Sequence, residues 1–316
     1  MSQFVTVTPN PAIDKTYRVP SLEIGQVTRA EEIITTPGGK GVNAARMLRT
    51  LGADVVAIGF AGGANGELLR LGLQTEGLAS EFVDISPEET RFAILLVDPL
   101  SARQTVVNEQ GPTLGETHLH ALKNVLRKHV QPGGFVLFCG SLPPGLPVSS
   151  YRDMIALVRD AGGRSLIDCT GETLRVALSA RPDVVKINRK ELADFGIAIS
   201  DWKEDGPGAA RRFREVSGAR VAVVTDGANG AIGSADGAGF VMASVPRLEI
   251  VSAVGSGDSF AAGLAFALSE SPDDIARAIK LASACGGANA LSDGAGYATR
   301  QQIEAVSGRI MITIVA

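Results

Sequence analysis

The sequence predicts an α/β protein: a mainly parallel central sheet, helices on both of its faces, and a small β-sheet lid inserted into the body. Three observations carry this. Short apolar runs alternate with helical patterns along most of the 316 residues, as in strands joined by crossover helices. Glycine is abundant, at 37 residues, and aromatics make up only 5%, which suits many tight strand–helix turns. Two stretches, about 15–36 and 91–108, read as extended chain with no helix between their apolar runs.

The elements follow in order. "FVTVT" (4–8) is a first strand, and "GVNAARMLRTLG" (41–52) has helical spacing with a glycine stop. "DVVAIGFAGG" (54–63) is a buried strand and "GELLRLGLQTEG" (66–77) a helix. "HLHALKNVLRKHV", "FVLFCGS" and "SSYRDMIALVRDAGG" continue as helix, strand, helix. "RSLIDC", "GETLRVALSA", "DVVKIN" and "RKELADFG" repeat the alternation, and "ARVAVVTDG" is another strand. Two apolar helices close the pattern, one after Gly257 and one from 273 to about 290. The tetrapeptide "GANG" occurs at 63–66 and 227–230, and turn chemistry accounts for either copy. The chain is expected to form one domain over 1–316.

Composition narrows the partners. A net charge of −4 without long runs of one sign argues against nucleic acid and anionic membranes. No charged and apolar leader opens the chain, and no run is long and apolar enough for a membrane span, so a cytoplasmic protein is expected. Cys139, Cys169 and Cys285 lack metal spacing and read as buried thiols; His118 and His120 read as surface residues.

The chemistry concentrates in "VSAVGSGDSFAAG" (251–263). A helix starting near Gly257 presents the amides of Gly255, Ser256 and Gly257 to one pocket, where they favour an anion. Asp258 then lies in the first turn. Amides for developing charge beside a carboxylate base suit phosphoryl transfer to a hydroxyl; the alternative is a helix-capping aspartate. The stretch fails as a dinucleotide motif, because Phe260 stands at the third glycine position. "GGKG" (38–41) likewise fails as a P-loop, since Gly41 follows Lys40 where Ser or Thr is needed. It still offers a cation at Lys40 and an amide at Asn43. With Asp14 after the first strand, these suit sugar hydroxyls and a phosphate at a strand-end site.

"TPNPAID", "GGKGVN", "GFAGGANG", "CGSLPPG", "KINRKEL", "VTDGANGA" and "VGSGDSFAAG" occur in this order along nearly the whole chain. Together they resemble the ribokinase-like carbohydrate kinases, and within them the hexose-phosphate kinases. The resemblance implies a ribokinase-like fold with ATP and Mg2+ as cofactors. It matches Asp258 to the general base and Gly255, Ser256 and Gly257 to the anion hole. Asp14, Gly39 and Asn43 match sugar contacts, and Lys40, Arg91 and Ser141 positions near the substrate phosphate or lid. Lys186, Asn188 and Glu191 match a motif linked to ATP phosphates and magnesium. Thr225, Gly227 and Gly230 match the nucleotide-phosphate loop, and Asn289 the segment bordering adenine.

There are departures from the family pattern. Ile187 replaces a proline, which is expected to loosen a turn. Ser256 replaces an alanine while keeping its amide. Asp226 adds a negative charge near the nucleotide phosphates. The resemblance implies phosphorylation of fructose 1-phosphate to fructose 1,6-bisphosphate, with tagatose 6-phosphate or fructose 6-phosphate as alternative substrates. Members acting on fructose 6-phosphate of the minor bacterial type carry glycine at the position of Lys40. A silent sugar-phosphate or nucleotide sensor on the same scaffold is the non-enzymatic alternative. The lid's apolar side chains, Ile33, Phe92, Ile94 and Leu96 among them, need cover, so a homodimer through the lid is expected.

Overall fold

Val5, Val7 and their neighbours are buried on both sides of the first strand, as a central parallel strand requires. That strand, β1 (Gln3–Thr8), sits within a ten-stranded sheet of the computed structural model, which describes residues 3–23, 25–100, 103–235 and 239–315. Residues 24, 101 and 102 of the two expected lid stretches lie outside the described residues. The chain proceeds through β2 (Ala12–Arg18), β3 (Glu32–Gly38), α1 (Lys40–Thr50), β4 (Asp54–Ala61), α2 (Gly63–Thr75), β5 (Ala79–Asp84), β6 (Arg91–Asp98) and β7 (Arg103–Asn108). It continues with α3 (Glu116–His129), β8 (Phe135–Cys139), α4 (Ser150–Asp160), β9 (Arg164–Asp168), α5 (Gly171–Leu178), β10 (Val184–Asn188), α6 (Arg189–Ala193) and α7 (Gly206–Ser217). It closes with β11 (Val221–Thr225), β12 (Ala231–Ala235), β13 (Phe240–Ser244), α8 (Ser256–Glu270), α9 (Ile275–Asn289), α10 (Arg300–Ser307) and β14 (Met311–Val315).

The large sheet runs β14-β13-β12-β11-β10-β9-β8-β1-β4-β5. It is parallel from β11 to β5 and antiparallel at the β12–β14 edge. From β1 the chain moves outward to β4 and β5, then returns to β8 on the other flank of β1. The order therefore reverses between β1 and β8, and a cleft outside the strand ends at such a reversal is where ligands bind in open α/β sheets. One apolar core lies on each face. Leu48, Phe260, Leu264 and Ile279 belong to one; Leu122, Tyr151, Met154 and Phe213 belong to the other.

Helix α8 positions the "GSGD" turn. Ten of its residues are buried, from Asp258 to Leu268, and a helix apolar almost all round belongs inside a protein. Gly263 lets α9 approach closely, because a Cβ there would press on Cys285 and Ala282. At the helix start, Gly255 has φ 80, the left-handed region glycine adopts freely, and a Cβ there would collide with Ala295.

The second sheet has the order β3-β2-β6-β7; β6 and β7 fall inside the expected 91–108 stretch, whereas β2 begins at Ala12 and β3 ends at Gly38, beyond the expected 15–36. Its register places Asp14, Thr16, Thr36, Leu95 and Asn108 on one face and Tyr17, Ile33, Ile94, Leu96 and Val107 on the other. The first face lines the cleft. Helix α2 covers the near end of the second, where Gly72 abuts Pro37. Phe92 packs there against the core rather than in the open, unlike Ile33, which is 56% exposed.

Several elements escape the sequence reading. Helix α7 carries Ala209, Ala210 and Phe213 at helical spacing and stops at left-handed Gly218, a signal the sequence contained. The short strands β5, β12, β13 and β14 and helix α10 carry weaker patterns. The two "GANG" copies differ: the first opens α2, whereas the second forms a 3-10 turn ending at Gly230, φ 95. The three cysteines are free and buried. His118 is not a plain surface residue, since its Nδ1 accepts the Gly115 amide at the start of α3.

Candidate active site

The cleft at the β1–β8 reversal has a volume of about 440 Å³. It gathers Asp14, Gly39, Lys40, Asn43, Arg91, Ser141, Gly255 and Asp258 from both sheets and both halves of the chain. Gly38 and Gly39 make the entry to α1 possible. A Cβ on Gly38 would overlap the Asp14 carboxylate, and one on Gly39 (φ 113) would press on Thr8.

Asp258 lies 7% exposed in the first turn of α8, where no side chain caps the helix. Its Oδ2 accepts from Asn43 Nδ2 at 2.8 Å. The capping alternative is thereby excluded. Burial pushes the Asp258 carboxyl above its ordinary value, with Lys40 opposing. Asp14 is pushed up to about 6, again by burial, with Arg46 and Arg91 opposing. The Arg91 guanidinium donates to the carbonyls of Asn10 and Glu109 at 3.1–3.3 Å. Ser141 Oγ accepts from Asn10 Nδ2 at 3.4 Å.

The anion-hole expectation is corrected in part. The Ser256 amide donates to Ala253 O at 3.2 Å, because the turn into α8 closes on itself there. Gly255 and Gly257 remain as amides at the mouth of the helix. A Cβ on Gly257 would lie 3.0 Å from Lys186 Nζ, so that ammonium reaches the same helix end.

Lys40, expected from the sequence as a cation beside the substrate phosphate, is paired with a carboxylate in the structure. Its Nζ lies 3.0 Å from Asp168 Oδ1, while Lys186 Nζ lies 2.9 Å from Asp168 Oδ2. Asp168 thus joins the lysine that opens α1 to the lysine of β10. Burial disfavours the Asp168 charge, but Lys186 and Lys40 outweigh it and hold the carboxyl at about 2. Asp168 raises the Lys40 ammonium above its ordinary value despite burial. The sequence reading passed over Asp168, although an aspartate ending an apolar parallel strand at the ligand edge was a usable signal. It also passed over Thr8 and Asn10. Both line the cleft, and Thr8 Oγ1 and Asn10 Oδ1 are buried without a protein partner among the described residues.

The remaining expected residues lie at the ends of β10 and β11, where Asn188 pairs in register with Thr225. Asn188 caps α6 by accepting from the Lys190 and Glu191 amides at 2.9 Å, and Glu191 Oε2 accepts the Asn188 amide at 2.8 Å. Ile187 loosens no turn; it is a fully buried strand residue facing Val224. Gly227 and Gly230 shape the 3-10 turn beside them. Asp226 points at Arg189, 2.9 Å away, which offsets its charge. Asn289 is fully buried rather than open to a ligand. It donates to Val254 O (2.8 Å) and Ser256 Oγ (3.3 Å) and accepts the Gly296 amide, bracing the turn before α8.

A carboxylate at the mouth of a buried helix, lysines beside it and a switch-point cleft define a small-molecule kinase. The chain belongs to the pfkB family of carbohydrate kinases, whose profile matches residues 7–302. It is 35% identical over 284 residues to 1-phosphofructokinase of Rhodobacter capsulatus, covering 89% of this chain and 88% of that protein. The structure of phosphofructokinase-2 from Escherichia coli in complex with fructose 6-phosphate superposes with a TM-score of 0.89 at 26% identity, covering 98% of this chain and 99% of that one. Ribokinase from Thermotoga maritima shares the fold, with a TM-score of 0.74 at 19% identity over 97% of this chain and 99% of that one.

Proposed function

We propose that the protein transfers the γ-phosphoryl group of ATP to the free primary hydroxyl of fructose 1-phosphate, giving fructose 1,6-bisphosphate and ADP. The observation that carries this is Asp258, held by Asn43 at the open N-terminus of α8 beside the Lys40–Asp168–Lys186 chain. Asp258 takes the hydroxyl proton as the sugar oxygen bonds to phosphorus and the bond to the ADP oxygen breaks. The Gly255 and Gly257 amides and Lys186 face the charge that spreads over the transferring oxygens. Asp14 and Asn43 orient sugar hydroxyls, aided by Thr8 Oγ1 and Asn10 Oδ1, which have no partner among the described residues. Lys40 and Arg91 hold the phosphate already on the sugar, with Ser141 alongside.

Thr225, Gly227 and Gly230 form the nucleotide-phosphate side with Asn188. A magnesium ion fits this arrangement, since Mg2+ is usually held by one or two carboxylates plus substrate phosphates. Glu191 has one oxygen not used in capping α6, and no denser cluster of metal ligands occurs among the described residues. The ion would neutralise phosphate charge there. No helix among the described residues is long and apolar enough to cross a membrane.

The Rhodobacter relative favours fructose 1-phosphate; the fructose 6-phosphate complex of the Escherichia coli relative favours the 6-phosphate as the second reading. Lys40 separates them. Lys40→Ala removes a charge-assisted contact, so kcat/KM for fructose 1-phosphate is expected to fall by about one to two decades, with the KM for ATP changing much less. Kinetics with each substrate varied in turn decide it. If only the ATP parameters move, Lys40 is not the anchor and the preference for the 1-phosphate loses its support.

Tyr17, Ile33, Ile94, Leu96 and Val107 share the outer face of the small sheet, and an uncovered apolar sheet face invites pairing. The four strands act as a lid over the cleft and as the contact between two copies. Light scattering at micromolar concentration is expected to give a dimer, and Ile33→Lys to give a monomer. A monomeric native protein contradicts this contact and leaves the kinase reading intact.

A further inference from the structure

Behind Asn43 lies a buried guanidinium that the reaction, as read above, does not use. Arg46 is 3% exposed, and all five of its N–H donors are matched. Nε donates to Glu76 Oε2 at 2.6 Å, and one terminal nitrogen donates to Glu76 Oε1 (3.1 Å) and to the Pro37 carbonyl. The other donates to Asn43 Oδ1 at 3.0 Å and to the Ala295 carbonyl at 3.1 Å. The Tyr297 ring lies 4.5 Å from the guanidinium, and its hydroxyl donates to Glu76 Oε1 at 2.7 Å. The guanidinium therefore has one orientation, fixed from α1, α2, β3 and the loop after α9.

We propose that Arg46 is a positioning residue for Asp258: it fixes which end of the Asn43 side-chain amide faces the carboxylate. Because Arg46 can only donate, Asn43 must present its oxygen to Arg46 and its NH2 to Asp258 Oδ2. The reversed amide would set oxygen against carboxylate and NH2 against guanidinium. With Oδ2 so held, Oδ1 is the atom left for the sugar hydroxyl. Arg46 also grips the carbonyl of Ala295, the residue that abuts Gly255. One side chain thus ties the proton acceptor to the turn carrying the anion-binding amides.

This rests on the reading of Asp258 as the proton acceptor, and turnover by the native protein, lost in Asp258→Asn, tests that reading separately. The test of Arg46 compares Arg46→Met with Arg46→Lys, which keeps a cation but cannot serve five acceptors. Both are expected to lower kcat about 10–100-fold with smaller changes in either KM. Both also move the acid limb of kcat to higher pH, because Asn43 no longer has to donate to the charged carboxylate. Lys40, Asp168, Lys186 and Asp14 also surround Asp258; Arg46→Met removes a charge that lowers the Asp14 carboxyl as well, so the shift assigned to Asn43 is the one read in Arg46→Lys, which keeps that charge. In an Asn43→Ala background the Arg46 substitutions are expected to add little. Where Arg46 variants fold poorly, Tyr297→Phe removes only the phenol's hold on Glu76, and a smaller change in kcat and acid limb in the same direction is expected. Restoration of native kcat and pH profile by Arg46→Lys overturns the proposal in favour of charge alone. Additive effects with Asn43→Ala, or a loss of stability with kcat and acid limb unmoved, overturn it in favour of packing.

Discussion

Asp258→Asn lowers kcat by at least about 100-fold while ATP binding measured by calorimetry stays close to native. The substitution keeps the shape of the side chain and an oxygen for the Asn43 NH2, which lies 2.8 Å from Oδ2 in the native protein. It removes the ability to take a proton, together with the carboxylate's charge beside Lys40. The pH dependence follows the same group. Burial holds the Asp258 carboxyl above its ordinary value, so the base is lost to protonation at a higher pH than an exposed aspartate would be. Asp14, pushed up to about 6, faces the same cleft. The acid limb of kcat is therefore expected at a higher pH than an exposed aspartate would give, as a joint property of both groups. A variant with near-native kcat removes Asp258 from the chemistry.

The largest effect on stability is expected at Asp168. Its carboxylate is 1% exposed and sits between the ammonium groups of Lys40 and Lys186, of which Lys186 is itself buried. Two charges taken from water are tolerable only with such partners, and removing one partner leaves the other uncompensated. Asp168→Asn is expected to cost about 3–5 kcal/mol at pH 7, read by denaturant unfolding. The folded pKa of about 2 lies below the ordinary 3.8, so this contribution is present above pH 4 and is lost as pH falls through about 2. The difference between native and variant proteins should narrow over that window. Equal stability at pH 7 would mean that Lys186 finds another partner.

The fold class was legible because buried parallel strands and their helices write long periodic patterns. The short antiparallel strands β12, β13 and β14 do not. Asp258 was legible because local chemistry announces it: glycines, then an acid, then an apolar helix. Its partners were not, since Asn43 lies 215 positions away along the chain and nothing in "GGKGVN" states which atom its amide faces. Asp168 and Arg46 were missed for a related reason. Each acts by joining elements, α1 to β9 and β10 for one, α1 to α2 and the loop after α9 for the other. A single aspartate or arginine carries no periodic mark of such a role. The counter-ion of Lys40 was not legible because it lies 128 positions further on. Asn289 was placed beside adenine by the family resemblance alone, while its hydrogen bonds turn it inward.

Phosphoryl transfer from ATP to fructose 1-phosphate at this cleft has a direct test. A coupled ADP-release assay across fructose 1-phosphate, fructose 6-phosphate and tagatose 6-phosphate, run with native protein and Asp258→Asn, tests it most directly. The highest kcat/KM is expected for fructose 1-phosphate, with fructose 1,6-bisphosphate as the product and turnover lost in the variant. A higher kcat/KM for either 6-phosphate contradicts the substrate assignment, and no ADP release with any of the three contradicts phosphoryl transfer to a ketohexose phosphate.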